Sequence, residues 1–488
     1  MHLVASDLYT LFRPSECALR VFLREHKELE GEPNPYEAVL HRLAERHEKT
    51  HLRALPPATD LSAGTPADRE AHTRQAVEGK TQIIYQARLR ATGTIAGRDV
   101  EIVGEPDFLI LEGSRYVVRD AKISKRINER DHLEIILQLQ LYGWLYERVF
   151  GNPPLRLEVL RGTGDIVDVP YDGGAAALQV LDTILRLKIA DAEPISPVGW
   201  TKCGSCIYHA RCWPRAEAAR DVALVFGVDQ GLAMALYGLG IKTIDQLLGG
   251  YTEKSLGEVQ RPWGKSMRRV GAGASKVLRM AKALTSGREE LLKKPEVPAR
   301  DNYVMFDLEG LPPQLDELEK VYLWGLQVYG DRPKQYLGVA AGIGSEGDRV
   351  AWGAFRAAAR QILSDYGDIP FVHWHHYERT KLDLYVDRFG DPDGTASRVR
   401  QNLLDLLPIT QSSIVLPLSS YSLKVVEQYV GFRRTQDEHG GQWAMAKYIE
   451  AVETEDPDTR AKLMEEIFKY NEEDLAATWE VLKWLGQK

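Results

Sequence analysis

One group of residues has the types and spacing that metal-dependent hydrolysis requires. Asp107 directly follows Pro106, and Asp120 stands two residues before Lys122. Side chains two residues apart in an extended segment project from the same face, so Asp120 and Lys122 are expected to point together. Two carboxylates bind Mg²⁺ or Mn²⁺, the metal lowers the pKa of a bound water, and a lysine helps orient that water toward a phosphodiester. A hairpin with exposed charges is the alternative.

The elements that would position this group are two short strands and two helices. Residues 101–122 predict two β-strands joined by a Gly-Ser turn, because apolar and branched residues alternate there. Residues 133–150 predict a helix on which Gln138 and Tyr142, four residues apart, share a face. An upstream helical stretch, HRLAERHEKTHL, carries His47, which could reach the same cleft.

The chain has only four cysteines, and their spacing favours a metal site. Cys17 stands alone, whereas two residues separate Cys203 from Cys206 and five separate Cys206 from Cys212. So few cysteines in a long chain do not indicate a disulfide framework. Thiolate ligation by four cysteines suits a 4Fe-4S cluster or a tetrahedral zinc ion.

A second group of acids follows residue 300. The predicted strand NYVMFDLEG ends in Asp307 and Glu309, two acids on the same side that form a metal-binding edge. The predicted C-terminal helix, TRAKLMEEIFKYNEEDLAATWEVLKWL, carries Tyr470 and Asp474 on one face. The elements predicted between them are the strands KVYLWGLQVYG, KQYLGVAA and DIPFVHWHHYE and a helix near 347–365.

Residues 1–215 resemble the RecB-type branch of the PD-(D/E)xK nucleases, and particularly its iron–sulfur members. Their pattern is a helix histidine, Gly-x-x-Asp, Asp/Glu-x-Lys and Gln-x-x-x-Tyr. The chain offers these residues in the family's order: His47 (with His41 and His51 nearby), Gly104, Asp107, Asp120, Lys122, Gln138 and Tyr142. The resemblance implies that the two aspartates and the histidine bind the metal, that the glutamine steadies it, and that the tyrosine contacts substrate.

The cysteines extend this resemblance. In those relatives one cysteine precedes the nuclease core and three follow it, together ligating a 4Fe-4S cluster, and Cys17 and the later three match that arrangement. Zinc ribbons usually pair two Cys-x-x-Cys knuckles, and only one is present. We therefore expect a 4Fe-4S cluster, with zinc or unligated thiols as alternatives. It would tie the start of the chain to the end of the core rather than transfer electrons.

The region from residue 300 to 488 resembles the RNase H-like DEDD exonucleases of the proofreading type. In those enzymes four carboxylates hold two metal ions, and a tyrosine orients the attacking water. Asp307, Glu309 and Asp474 match three of the acids, and Tyr470 matches the tyrosine.

At the second motif of those exonucleases the chain departs from the pattern. The nearest segment, HWHHYE, offers Tyr377 and Glu378, and Asp405 is the fallback ligand unless it only caps a turn. The segment SSYSLKVVEQYVGF, with Tyr421 and Lys424, also resembles the bacterial RecB-like nuclease family that pairs these two halves. Surface carboxylates of an α/β domain, or an inactive scaffold that binds nucleic acid, are the alternatives.

Residues 216–297 predict a basic helical connector. Residues 201–300 contain 17 Lys+Arg and 9 Asp+Glu, a balance of +8, although the whole chain carries −8. The run GLGIKTIDQLL resembles half of a helix-hairpin-helix, whose turn brings backbone amides to a phosphate. A solvated basic surface without a ligand is the alternative. The expected contacts to a nucleic-acid backbone are Lys265, Arg268, Arg269 and Lys276.

The composition fits a multidomain α/β protein. With 488 residues, 44% of them hydrophobic, the chain has material for more than one core. It has no uncharged apolar run of about 18 residues and no signal-peptide pattern at its start, so we expect a soluble, cytoplasmic protein without membrane contact. The predicted domains are a PD-(D/E)xK mixed-sheet core (1–215), the helix-hairpin-helix-like connector (216–297) and an RNase H-like α/β domain (298–488).

The expected function is a Mg²⁺- or Mn²⁺-dependent nuclease that acts on single-stranded DNA or duplex ends, more as an exonuclease than as an endonuclease. The alternative is a nucleic-acid binding or assembly module in which one or both centres are inactive. The chain has no Gly-x-x-x-x-Gly-Lys-Ser/Thr phosphate loop, so a helicase or another repair or defence partner would supply any motor.

Overall fold

The structure is a computed structural model in which the chain forms two compact units. The first unit is built mainly by residues up to 196 and by 202–210, and the second mainly by residues 211–488. In the described ranges, no helix combines the length and the apolar character that crossing a bilayer requires. The described residues are 2–28, 30–31, 35–264, 266–313, 315–316, 318–436 and 440–488.

The first unit contains two sheets. A six-stranded mixed sheet has the order β2-β3-β6-β7-β8-β9, in which β6 and β7 are antiparallel and β7 and β8 parallel. A three-stranded sheet has the order β1-β5-β4. The strands are β1 (His2–Val4), β2 (Thr59–Asp60), β3 (Ile83–Tyr85), β4 (Leu89–Ile95), β5 (Arg98–Gly104), β6 (Phe108–Glu112), β7 (Arg115–Ala121), β8 (Leu157–Leu160) and β9 (Ile166–Val169).

Helices cover these sheets, and the longest apolar one lies at the centre of the core. Helix α5 has the predicted bounds and ends at Gly151, whose φ of 78° suits a residue without Cβ. Its leucines pack with sheet residues in one core cluster. The helices are α1 (Ser6–Phe12), α2 (Ala18–Glu25), α3 (Pro35–Ala54), α4 (Pro66–Glu78), α5 (Leu133–Phe150) and α6 (Ala175–Lys188). Helices α7 (Trp200–Cys203) and α8 (His209–Ala219) each have residues assigned to both units.

Local differences from the sequence prediction have simple causes. Residues 101–104 belong to β5, separate from the β6–β7 hairpin, because a proline at 106 interrupts the run. The Gly-Ser turn at 113–114 joins β6 to β7 as predicted. Between α3 and α4 the chain forms the short strand β2, and Thr65 caps α4.

The connector in the second unit is only partly helical. A strand pair, β10 with β11, interrupts the helices, so Arg268 and Arg269 lie on a strand of the predicted helical connector. The run QRPWGKSMRR turns at Gly264, whose φ of 59° favours glycine. After a short 3₁₀ turn (Val222–Leu224), the elements are α9 (Gln230–Gly238), α10 (Ile244–Gly250), α11 (Glu253–Gly257), β10 (Gln260–Trp263), β11 (Ser266–Arg269), α12 (Gly273–Ser286) and β12 (Glu290–Leu291).

The rest of the second unit is an α/β layer with the sheet order β15-β14-β13-β16-β17. Strand β13 pairs antiparallel with β14 and parallel with β16. The strands are β13 (Asn302–Leu311), β14 (Lys320–Gly330), β15 (Leu337–Ala340), β16 (Phe371–His373), β17 (Leu403–Asp405) and β18 (Ile414–Val415). The helices are α13 (Gly344–Tyr366), α14 (Tyr377–Phe389), α15 (Thr395–Gln401), α16 (Leu406–Ser413), α17 (Leu423–Tyr429), α18 (Gly441–Glu453) and α19 (Pro457–Gly486).

Two predictions for this region need correction. The predicted strand DIPFVHWHHYE is much shorter, because β16 ends at His373 and α14 begins at Tyr377. Just before the predicted boundary at residue 297, strand β12 pairs with β18. The predicted boundary near residue 297 therefore falls inside one compact unit, and the limits of the three domains stay predictions.

Candidate active sites

Three of the predicted acids meet at the edge of β13. Asp307 and Glu309 lie on that strand, and Asp474 lies on α19, which packs against it. One ligand oxygen from each lies within 4.8 Å of the others. Among the residues that the structure describes, no other set of three or more His, Cys, Asp or Glu side chains is gathered as closely.

The cluster concentrates negative charge in a buried place. Burial and the carboxylates of Asp474 and Glu309 raise the pKa of Asp307 well above its usual value. Burial, assisted by Asp474, raises the pKa of Glu309 to about 8. Carboxyl groups that share a small volume resist ionising together, and a divalent cation relieves that repulsion.

Asp307 is held in place by a series of hydrogen bonds that the sequence did not predict. Asn471 Nδ2 donates to Asp307 Oδ2 at 2.6 Å, and Asn471 Oδ1 accepts from the Tyr336 hydroxyl at 2.9 Å. Gly325, directly opposite Asp307 on β14, leaves room for this amide, because a Cβ there would lie 1.8 Å from Asn471 Oδ1. Such a second layer of contacts orients a metal ligand.

Two cations also lie at the cluster. The guanidinium of Arg434 pairs with Asp474 and, at 2.7 Å, with Glu427. Lys424 Nζ lies 4.9 Å from the centre of the Tyr470 ring. Burial lowers the pKa of Lys424, although Asp474 raises it in part. Tyr470, predicted to orient water, is thus buried beside the acids and covered by cations.

The fourth carboxylate of the expected pattern is not in the cluster. Glu378 is buried on the first turn of α14, and one of its oxygens lies 3.0 Å from His373 Nδ1. The negative charge of Glu378 nevertheless raises the pKa of Asp307 and of Glu309. Asp405, the fallback ligand, accepts hydrogen bonds from the Leu407 and His375 amides and caps α16.

The first unit brings its predicted acids and lysine together at the end of the β6–β7 hairpin. Lys122 Nζ lies 2.5 Å from Asp120 Oδ2, and Asp107 Oδ2 accepts from the Ala121 amide at 2.8 Å. Burial and the charge of Asp120 raise the pKa of Asp107 well above its usual value. Burial lowers the pKa of Lys122, but Asp120, together with Tyr9, Asp107 and Tyr142, outweighs burial, and the net shift is upward.

Helix α5 closes this site from one side. Gln138 Nε2 donates to the Tyr142 hydroxyl at 2.7 Å, and both side chains are buried. Gly104, part of the predicted Gly-x-x-Asp element, permits the contact, because a Cβ there would lie 2.8 Å from Tyr142 Cδ1. The glycine is therefore explained by the close approach of α5.

Helix α3 contributes two candidates rather than one. Burial lowers the pKa of His47, an effect that the backbone of Leu160 and Arg161 opposes, and the Leu160 carbonyl accepts from the Lys122 amide at 2.8 Å. Its neighbour Glu48, not predicted, accepts from Gln86 Nε2 at 2.5 Å; that same amide donates to Asp107 Oδ1 at 3.1 Å. In the sequence, the only indication that Glu48 belongs to this site is its position next to His47.

Several buried polar atoms at both centres fit a divalent cation. In the described part of the chain, His47 Nε2 and Gln138 Oε1 are buried without a hydrogen-bond partner at the first centre. At the second centre, the Tyr322 hydroxyl is likewise buried without a hydrogen-bond partner among the described residues. Burial, Glu309 and Asp307 raise the pKa of this hydroxyl. Buried acceptors are normally satisfied, and Mg²⁺ and Mn²⁺ bind such oxygen-rich sets.

The four cysteines form no disulfide, and all are half-buried. Cys17 directly precedes α2 and makes no capping hydrogen bond with its side chain, and its Sγ lies 3.3 Å from Ser196 Oγ. Cys203 ends α7, and the Cys206 amide donates to the Cys203 carbonyl at 3.0 Å. These three sulfurs do not all lie within 4.8 Å of one another, whereas thiolates on one tetrahedral zinc would lie about 3.8 Å apart. Cys212 lies on α8 and belongs to the second unit.

The predicted nucleic-acid contacts are placed unevenly. Lys265 lies outside the described residues. Arg268 is exposed on β11, and Arg269 pairs with Glu258 at 2.8 Å. Lys276 lies on α12, where its Nζ is 4.9 Å from the centre of the Phe226 ring and burial lowers its pKa.

Comparison with known proteins identifies the class of both halves. Residues 1–213 match the PD-(D/E)XK nuclease superfamily, and residues 304–486 match the RNase H superfamily. No curated protein matches the chain. A solved structure described as "Crystal structure of SSO0001" aligns at 13% identity over 36% of this chain and 96% of that chain, with a TM-score of 0.21.

Residues 1–213 therefore form a PD-(D/E)XK nuclease superfamily domain, and residues 304–486 form an RNase H superfamily domain. The α/β fold class predicted from the sequence is confirmed. The protein is a nuclease of nucleic acids at the level that these superfamilies define.

Proposed function

We propose that this protein is a Mg²⁺- or Mn²⁺-dependent deoxyribonuclease with two separate hydrolytic centres, acting on single strands or duplex ends as an exonuclease. The observation that carries the proposal is the gathering of Asp307, Glu309 and Asp474 around one buried point. If these acids were ordinary surface carboxylates, they would not lie so close together in a buried place, where unpaired charges are costly. A bound divalent cation supplies Lewis acidity and a water acidic enough to attack a phosphodiester.

At the second centre the chain's residues divide the work. The three clustered acids hold the cation, and Asn471 fixes the orientation of Asp307 through its hydrogen bond. Tyr470 positions the attacking water, and Lys424, close to the same ring, faces the scissile phosphate. Glu378 adjusts the charge of the cluster from its place beside His373.

At the first centre, Asp107 and Asp120 hold the cation, with His47 as an added ligand through its unpartnered Nε2. Lys122 orients the attacking water, since its ammonium already lies against Asp120. Gln138 steadies the metal site, and Tyr142 contacts the substrate.

Cleavage of end-labelled single-stranded and duplex DNA with Mn²⁺ or Mg²⁺ tests the proposal. We expect Lys122→Ala and Asp307→Asn each to reduce a separable part of the activity by about 100-fold or more, because each removes several kcal/mol of transition-state stabilisation. The matched controls are Arg115→Ala, exposed on β7, and Glu472→Gln, exposed on α19, which should cleave like the unmodified protein. Full activity in the double variant Lys122→Ala/Asp307→Asn would refute the proposal.

A second candidate is a nucleic-acid binding or assembly module in which the second centre is inactive. The observation that favours it is Arg434, whose guanidinium already pairs with Asp474. Under this alternative, Asp307→Asn leaves all cleavage unchanged and the protein binds DNA without degrading it at that centre.

We also propose that Cys17, Cys203, Cys206 and Cys212 ligate a 4Fe-4S cluster with a structural role. The single Cys-x-x-Cys knuckle supports a cluster over zinc, because zinc ribbons usually pair two such knuckles. The protein would act in the cytoplasm in DNA repair or defence. Because its sequence lacks a phosphate-binding loop, a partner such as a helicase would supply any motor.

A further inference from the structure

The hairpin β10–β11 carries the densest positive charge of the connector. From Gln260 to Lys282 the sequence has seven Lys or Arg residues and no Asp or Glu. The described hairpin residues are almost all exposed, including Trp263 at 45% and Met267 at 58%. A large aromatic ring exposed within a basic segment is not explained by folding, since burial of the ring would stabilise the protein.

One face of the hairpin combines this ring with two guanidinium groups. Arg261 and Trp263 are two residues apart on β10, and Arg268 is directly opposite Arg261 on β11. The Cζ atoms of Arg261 and Arg268 lie 4.5 and 5.3 Å from the Trp263 ring centre. Met267 projects from the opposite face, because it is one residue from Arg268.

The two arginines of this face are not equivalent. Arg261 is neutralised by an ion pair with Asp229, the residue that caps α9. Arg268 has no carboxylate partner in the part of the chain that the structure describes, so its charge is available to a phosphate.

The base of the hairpin is fixed, although its tip is exposed. A Cβ at Gly231 would lie 2.3 Å from the Pro262 carbonyl oxygen, so the glycine lets α9 pack directly against β10. The backbone ladder continues below the strands, where the Val270 amide donates to the Val259 carbonyl at 3.0 Å. The ring is therefore presented by a rigid support, which reduces the entropy lost on binding.

We propose that this hairpin face is a binding platform for single-stranded nucleic acid, with a base stacked on Trp263 and a phosphate paired with Arg268. Stacking on an aromatic ring beside a basic groove is the usual way in which proteins hold single strands without sequence preference. A duplex hides the faces of its bases inside the helix, so the platform selects unpaired strands. The inference rests on the proposed nuclease function, and it specifies the form of substrate.

Fluorescence anisotropy of the full-length protein with labelled oligothymidylate in EDTA tests the platform apart from catalysis. Trp263→Ala should weaken binding by about tenfold or more, and Trp263→Phe should retain most of the affinity, because a ring remains. Met267→Ala, on the opposite face, is the matched control and should bind normally. Arg268→Gln should lower the slope of log affinity against log salt by about one.

The outcomes separate this inference from the proposed function. Equal affinity of Trp263→Ala and the unmodified protein for oligothymidylate would overturn the platform, and so would equal affinity of the unmodified protein for single strands and duplex. A shift of Trp263→Ala from dimer to monomer would show that a second copy occupies the face, and would also overturn it. If binding depends on Trp263 but the protein does not cleave the strand when Mn²⁺ is added, the platform is upheld and the nuclease proposal is contradicted. An oligouridylate arm distinguishes RNA from DNA as the strand.

Discussion

At the scale of single residues, the second centre depends on buried groups of opposite charge. Asp307, Glu309 and Asp474 could be predicted from the sequence, because an i, i+2 strand pair and an i, i+4 helix spacing fix which side chains share a face. Arg434 and Asn471 could not, since no local pattern shows that a distant guanidinium pairs with Asp474 or that an amide reaches Asp307.

The pKa of Glu309 makes the stability of the metal-free protein depend on pH. Burial raises this pKa from 4.5 to about 8, so between those values the folded protein retains a proton that the unfolded chain has released. The free energy of unfolding should therefore fall as the pH rises through that window. Urea unfolding in EDTA at several pH values measures the slope.

Glu309→Gln should make that slope shallower, because the amide does not ionise, whereas exposed Glu472→Gln should leave it unchanged. Added Mn²⁺ should stabilise the unmodified protein more at high pH, where the carboxylates ionise to bind it. A slope that is identical in Glu309→Gln and the unmodified protein contradicts the assignment.

At the scale of elements, the sheet and long helices follow from the sequence more closely than the short pieces do. Helix α5 has its predicted bounds because an apolar run ends at a left-handed glycine. The hairpin β10–β11 was missed because QRPWGKSMRR lacks the branched, alternating residues typical of strands. The aromatic run HWHHYE suggested a strand, but only its start pairs with the sheet.

Gly325 tests whether strand β14 positions the second centre. Gly325→Ala places a methyl group where Asn471 Oδ1 lies, 1.8 Å away, and should displace the amide from Asp307. We expect the affinity for Mn²⁺ to fall by about 10- to 100-fold, as for other lost contacts behind a metal ligand. Isothermal titration with Mn²⁺ measures the change.

The matched control is Gly353→Ala on α13, where a new Cβ would meet no atom within 4 Å. That change should leave Mn²⁺ affinity intact and stabilise the helix by about 1 kcal/mol. Equal Mn²⁺ affinity in both variants would show that Asn471 does not support the site.

At the scale of the whole molecule, the chain joins two nuclease superfamilies through a basic connector. Motif order identified both halves from the sequence, because each catalytic pattern is carried by a few ordered elements. The way in which the connector packs with the second half was not predicted, since it depends on the two-residue strand β12.

The proposed cluster should be essential for the cohesion of the first half. Cys17→Ser removes one of four ligands and should abolish bound iron and acid-labile sulfide, with a lower thermal midpoint of unfolding. Elemental analysis and thermal unfolding followed by circular dichroism measure both effects. Ser196→Ala, which keeps every thiolate but removes the hydroxyl 3.3 Å from Cys17 Sγ, should retain iron. Zinc without iron in the unmodified protein would establish the zinc alternative.

The pairing of β12 with β18 decides where the chain can be cut. A fragment beginning at Arg300 would leave the backbone groups of Ile414 and Val415 without the strand that now borders them. It would also lose Met280, whose sulfur lies 3.7 Å from the Tyr421 hydroxyl. The carboxy-terminal half should therefore be expressed together with its connector, and a recombinant piece trimmed to the RNase H-like region alone would present an unprotected strand edge prone to self-association.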